Sequence, residues 1–270
     1  MQCDIVINAT MDQLHFSTTV LLLNAGYNVL LEKPVTADKT ELLTLERKAH
    51  ENGRILIICH VLRYTPFYLS VKKLIASGAI GEVVNIQMNE HVCYKLFVKA
   101  FVRGKWRNEK LSGSGLLLAK SCHDIDLMCW LNNAAVPAEV SSFGSKATFS
   151  LDKAPVGSTE FCFDCPAKDN CMFNAYMFEL EHDSIPFYTW ADIDKPLESI
   201  TREEKLQYLK KGDFGRCVYR TDMDIVDRQC VSVNFSNGSI GTLNLVGGTS
   251  KADRHIHVIG TMGEIVGSVR

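Results

Sequence analysis

The 270 residues contain no G-x-G-x-x-G, no apolar run approaching a membrane span, and almost no charge imbalance, with 29 basic against 31 acidic side chains. Each absence removes a class of function. A bilayer-crossing helix needs about 20 predominantly apolar residues, so no membrane partner is expected. A net charge of -2 gives no electrostatic affinity for nucleic acid. Met1 is not followed by the basic segment and apolar core of a secretory signal. The missing Gly-rich turn matters most, because a doubly wound sheet binds a dinucleotide through that turn after its first strand. Gly113-Ser114-Gly115 runs into Leu116-Leu117-Leu118 with no strand before it, so it fails the context test. Either this fold binds no dinucleotide, or its first βα units lie outside the chain.

Cysteine is the opposite case, with ten in the sequence. Cys59, Cys122, Cys129 and Cys230 sit in apolar patterns, where thiols act as small core residues. This predicts a reducing cytoplasm and no disulfide framework. Cys162-x-x-Cys165-Pro166 and Cys171 stand apart, in a segment without periodicity. Zinc favours four tetrahedral ligands and orders segments too polar to build a core. Cys217 or His182 is the candidate fourth ligand. A structural zinc and plain reduced thiols both fit this pattern; a catalytic metal does not.

Strands and helices alternate through the first quarter. Asp4–Thr10 reads as a strand, 13–25 as a helix ended by Gly26, 28–31 as a buried strand, 38–51 as a helix capped by Asp38, 54–58 as a strand and 65–76 as a helix. The alternation predicts a parallel, doubly wound sheet. After Gly78-Ala79-Ile80-Gly81 the character changes. A long strand over 82–91, an apolar helix over 113–131, and strands near 137–147, 229–235, 240–246, 254–259 and 263–267 predict an α+β region with a large, mostly antiparallel open sheet. Asn237-Gly238 predicts a hairpin. The fold class is α/β followed by α+β: residues 1–64 as part of a Rossmann domain, and 65–270 as a substrate and oligomerisation domain with a Cys-rich insertion near 150–215. The strand just before Arg270 suggests truncation there as well.

Glu32-Lys33-Pro34 ends a buried strand with a charged pair and a proline. Proline holds the preceding residue extended and sometimes allows a cis bond, so Lys33 is aimed rather than free. A positioned lysine orients or protonates a substrate oxygen; the bland alternative is two solvated charges at a strand end. In the 113–131 helix, Lys120, His123 and Asp124 share one arc, with Asp126 on its border. A polar stripe on a buried helix is costly unless satisfied, which predicts a pocket. Arg63 follows a strand end, as a ligand contact or a surface arginine. Trp106 and Arg107 sit in a loop, where they close over a ligand or pack on the domain edge.

These residues, in the order Asp4–Thr10, His15, Ala25-Gly26, Glu32-Lys33-Pro34, Arg63, Gly78-x-x-Gly81-Glu82-Val83, His123-x-x-Asp126 and Gly260-Thr261-Met262-Gly263-Glu264-Ile265, resemble the Gfo/Idh/MocA oxidoreductases over nearly the whole chain. The resemblance implies NAD or NADP as cofactor, hydride transfer at one carbon of a sugar, inositol or related polyol, and homo-oligomers built through the open sheet. It implies Lys33 and His123 as the catalytic pair. Ala9, Thr10, His15, Glu32, Lys33, Trp106 and Arg107 fall toward the cofactor, and Arg63, Lys120, Asp124 and Asp126 toward the substrate. It also implies that roughly 60 residues of preceding βαβ units, with the Gly-rich turn, are missing. One position departs from the family. Many members carry an acidic residue four before the histidine, where this chain has Ala119. Two other functions share the same motifs: an NAD-dependent glycoside hydrolase working by transient oxidation, and an inactive fragment lacking the phosphate cradle.

Overall fold

A computed structural model describes residues 3–183 and 185–269. It begins with a parallel sheet of β1 (Ile5–Asn8), β2 (Asn28–Leu31) and β3 (Leu56–Ile58), in that spatial order. Parallel neighbours need crossovers, supplied by α1 (His15–Asn24) and α2 (Lys39–Glu51). Asp38 starts α2 by accepting the Thr40 and Glu41 backbone N–H groups at 2.6 and 3.0 Å. Leu23, Val29, Leu31, Leu45 and Ala49 close a small core under the two helices. On the other face the register aligns Ile7, Leu30 and Ile57, and Ile7 is 67% exposed. Among the described residues the helices therefore cover one face of this sheet.

A short turn, Val61–Tyr64, leads into α3 (Pro66–Ala76) and then β4 (Val83–Cys93). β4 joins β5 (Pro137–Ser145), β6 (Arg228–Phe235), β7 (Ile240–Thr249), β8 (Asp253–Gly260) and β9 (Glu264–Val269) in a six-stranded sheet of order β5-β6-β7-β4-β8-β9. The sheet is antiparallel as expected except for the β4–β7 pair, which is parallel. Gly238, at φ +81°, turns the β6–β7 hairpin at the expected Asn-Gly. α4 (Leu116–Leu131) lies on the buried face of the sheet, packing Leu127, Met128 and Leu131 against Ile86, Met88, Val231 and Leu243. A side chain at Gly241 would place its Cβ 2.2 Å from the Met128 Sδ, so glycine sets the closeness of that contact.

The aperiodic stretch over 150–215 folds around buried charge. Lys99 and Glu179 are 1% and 0% exposed, with Lys99 Nζ 2.9 Å from Glu179 Oε2 and 2.6 Å from Asp183 Oδ1. Arg103, also fully buried, donates to the carbonyls of Phe173 and Arg216 at 2.7 and 2.9 Å. Hydrogen-bonded ion pairs in a low-dielectric interior order such a segment without an apolar repeat.

Of the two readings of the cysteine cluster, the structural zinc is not supported. Cys162, Cys165, Cys171 and Cys217 do line one small cavity. Yet among the described residues no group of three or more His, Cys, Asp or Glu is placed to hold a metal ion. Burial pushes the Cys171 and Cys217 thiols up, and Arg103 Nη2 donates to the Cys162 sulfur at 3.4 Å. Among the described residues no helix is long and apolar enough to cross a membrane.

Candidate active site

Three strand ends build the site. At the end of β1, buried Asn8 donates to Thr18 Oγ1 and Thr19 Oγ1 at 2.7 and 2.9 Å, and its Oδ1 accepts from the Thr10 hydroxyl at 2.9 Å. This pins the chain so that Ala9 and Thr10 stand exposed beyond the strand. At the end of β2 the Lys33–Pro34 peptide is cis, and Glu32 Oε2 accepts the Lys33 backbone N–H at 3.2 Å. At the end of β3, Cys59 and His60 follow. Burial raises the Cys59 thiol, and Glu32 adds to the shift.

His15 lies between the first two strand ends. Its ring is 1% exposed, with Nδ1 2.6 Å from the Pro34 carbonyl and Nε2 2.9 Å from the Thr10 carbonyl. Both nitrogens are used in tying the first two strand ends together.

α4 closes the site from the other side. Lys33 Nζ donates to the Ala119 carbonyl at 2.7 Å. Asp126 accepts from Arg63 through both oxygens, at 2.7 and 2.5 Å, a bidentate pair with its carboxylate side chain 10% exposed. His60 Nε2 lies 3.7 Å from the same carboxylate. The His60 and His123 rings meet edge to face, with centroids 5.8 Å apart at 83°. Burial pushes His123 down to about 3, and the cations Lys33 and Arg254 push in the same direction. Burial also lowers His60, against an upward pull from Asp126.

The polar stripe on α4 is therefore two groups facing different ways. His123 and Asp126 meet residues that follow β2 and β3. Lys120 and Asp124 turn to the large sheet, where Lys120 Nζ is 3.0 Å from Glu90 Oε1 and Arg254 bridges Glu90 and Asp124 at 2.7 and 3.0 Å. Burial raises Glu90 even so. Trp106 Nε1 and Ser114 Oγ donate to Asp12 Oδ2 at 3.2 and 2.9 Å, stitching the loop to the segment before α1. Arg107 is paired with Asp222 and Asp213 at 2.6 and 3.0 Å, which commits its guanidinium to the protein.

A cavity of about 690 Å³ opens between these elements, lined by Pro34, Thr36, His60, Cys122 and Asp126 among others. His60 lines it, and the ring Nδ1 atoms of His60 and His123 are buried without a hydrogen-bond partner. Sequence reading missed His60. Its signal was position, since it follows β3 as Lys33 follows β2.

Residues 1–60 match the model for an oxidoreductase family's NAD-binding Rossmann fold, and residues 72–270 match that family's C-terminal alpha/beta domain. YteT of Bacillus subtilis (strain 168), named as an oxidoreductase, is 26% identical over 267 residues, covering 97% of this chain and 59% of that protein. The scyllo-inositol 2-dehydrogenase (NADP(+)) IolW of the same organism is 33% identical over 123 residues, covering 46% of this chain and 33% of its own. The solved scyllo-inositol dehydrogenase from Lactobacillus casei with bound NAD(H) and scyllo-inositol superposes with a TM-score of 0.64 at 16% identity, over 99% of this chain and 57% of that one. The chain thus spans less than two thirds of the length of these relatives. By both family matches, the chain belongs to the Gfo/Idh/MocA oxidoreductases.

Proposed function

We propose that this chain forms part of an NAD(P)-dependent oxidoreductase that moves a hydride to or from one carbon of a sugar, inositol or related polyol. The observation that carries this reading is the meeting of the β2 and β3 ends with α4 at one cavity, which brings Lys33, His60, His123 and Asp126 together. Ligands of open α/β sheets bind outside the carboxyl ends of the strands. The inositol dehydrogenases among the relatives support the substrate class.

In this reading residues 1–64 serve the cofactor and 65–270 the substrate. The residues present fit the nicotinamide end of the cofactor: two unpartnered ring nitrogens and the exposed Ala9 and Thr10 border the strand ends. The sequence carries no Gly-rich phosphate turn. A bound nicotinamide supplies a hydride acceptor or donor. Lys33 holds the reacting oxygen as a fixed cation, and the neutral His123 ring accepts the hydroxyl proton. Asp126, paired with Arg63, forms part of the cavity wall. Thr10 and Glu32 border the cofactor. Lys120 and Asp124 brace α4 against the sheet. The thiol-rich interior fits a reducing cytoplasm. The fully exposed β5, with Phe143 76% exposed, offers a surface for a second copy at the open sheet.

The test is reduction of NAD or NADP, read at 340 nm, with scyllo-inositol and myo-inositol as probes. Deuterium at the carbinol carbon should appear in the reduced cofactor. Sugar release with no net reduction of free cofactor would favour the glycoside hydrolase instead.

A further inference from the structure

We propose that Arg254 receives a carboxylate of the substrate, so that the sugar or polyol this site takes is a sugar acid. This rests on the oxidoreductase reading and narrows its substrate class. The first observation is how Arg254 is bonded. It faces the buried side of the large sheet, opposite Glu90 in the β4–β8 register. Its Nε is used twice, 2.7 Å from Glu90 Oε2 and 3.0 Å from Asp124 Oδ1. A guanidinium carries five N–H donors in a planar fork. Among the described residues the two Nη groups of Arg254 donate no hydrogen bond, and neither is a buried orphan. The arginine side chain is 18% exposed, against 3% and 1% for Glu90 and Asp124. The carboxylates are closed off, and the open end of the fork is what reaches solvent.

The second observation is where this fork stands. Ala119, Lys120, His123 and Asp124 fall within about a turn and a half of α4. Lys33 Nζ meets the Ala119 carbonyl at 2.7 Å, Lys120 Nζ meets Glu90 Oε1 at 3.0 Å, and Arg254 meets Asp124. Three cationic ends therefore gather at the turn that carries His123, and all three favour its neutral ring. Lys120, like Arg254, keeps an open end, at 19% exposed. The Tyr68 hydroxyl, buried without a hydrogen-bond partner, feels Arg254, Asp124 and Glu90 in turn.

A carboxylate is the group this arrangement suits. Its two oxygens lie in one plane and meet a guanidinium fork side by side, as a bidentate pair. Glu90 and Asp124 already hold Arg254 in place, so binding orders little that was free. A neutral hydroxyl offers such a fork only an uncharged acceptor, which gains less than an anion does. On a hexose ring a carboxylate takes the place of the terminal CH2OH without added bulk, whereas a phosphate adds a tetrahedral centre. The acid end then lies on Arg254 while a carbinol carbon of the same ring lies toward Lys33 and His123.

The experiment is calorimetric titration of the protein, with and without saturating NADH, by methyl glucuronoside and methyl galacturonoside. Each acid is compared with its neutral methyl glycoside and with the 6-phosphate of that glycoside. In at least one series the acid should bind about 30-fold more tightly than the neutral sugar. Arg254→Lys keeps a cation beside Glu90 and Asp124 but loses the fork, and the acid-to-neutral ratio should fall about tenfold. Arg254→Gln should bring the ratio close to one; if it does not fold, Arg254→Lys and the wild-type comparison decide. An acid that binds no better than its neutral counterpart in both series overturns the proposal. So does a ratio unchanged in every folded Arg254 variant. Tighter binding of the 6-phosphate than of the acid overturns the carboxylate in favour of a phosphate. NADH fluorescence on the same samples separates the two claims: failure to bind NADH overturns the oxidoreductase reading, while the ratio without cofactor still decides the Arg254 site.

Discussion

Lys33 Nζ donates to the carbonyl of Ala119 at 2.7 Å, joining the end of β2 to α4 across 86 residues of sequence. The acceptor is backbone, so the bond does not depend on the side chain at position 119. That side chain is 4% exposed and apolar. The ammonium is thus held against the backbone of α4 by a neutral acceptor.

Lys33→Met removes that charge while keeping much of the side-chain volume. One charge-assisted hydrogen bond contributes about 1.5–3 kcal/mol, so the variant should stay folded by circular dichroism. Turnover of scyllo-inositol should fall by about 100-fold or more. A folded variant with wild-type kcat would remove Lys33 from the reaction.

Arg103 is the strongest structural prediction. It is fully buried, and its Nη1 lies 3.5 Å from Glu179 Oε1. Arg103→Ala leaves Glu179 with Lys99 as its cation but strips the buried Phe173 and Arg216 carbonyls of their charged donor and opens a cavity, which costs about 2–5 kcal/mol. Arg103→Lys should rescue little, because one ammonium does not reproduce the forked contacts to Phe173, Arg216 and Cys162. Urea unfolding of the three proteins measures both effects.

Much of this was readable in the sequence, and the reason differs from residue to residue. The Asp38 cap, the Asn237-Gly238 turn and the aimed Lys33 are local signals, fixed by a few neighbouring residues. Spacing along α4 gave an arc of polar residues, but not which part faces Glu90 and Arg254 and which faces His60 and Arg63. Those partners lie on other elements, up to 130 residues away. The 150–215 segment was opaque because Lys99, Arg103 and Glu179, rather than an apolar period, hold its interior. The two carbonyls that meet the His15 ring nitrogens, those of Thr10 and Pro34, were likewise not readable from its motif.

Glu90 gives a pH dependence of known sign. Burial raises its carboxyl above the ordinary 4.5, despite the opposing pull of Lys120 and Arg254. The folded chain then keeps a proton that the unfolded chain releases. This contribution is complete below pH 4.5 and is lost as pH rises through the folded value. Wild-type stability measured against Glu90→Gln should therefore decline from pH 4.5 upward; a constant difference would contradict the shift.

His123 has the opposite dependence. Its ring is held down to about 3 from 6.5, so the unfolded chain binds the extra proton. Stability is fully present above pH 6.5 and is lost as pH falls toward 3. His123→Asn should lose less stability than wild type between pH 6.5 and 4.5, by urea unfolding in matched buffers. Parallel loss in the two proteins would mean that the His123 ring is not shielded from solvent.

The cavity between the strand ends and α4 is central to this account, and adding NADH to protein with labelled histidine rings tests it most directly. The prediction is a saturable shift of the His60 and His123 resonances, while His257, beside Glu264 on the far strands, stays fixed. Binding that leaves both cleft histidines unmoved would contradict it.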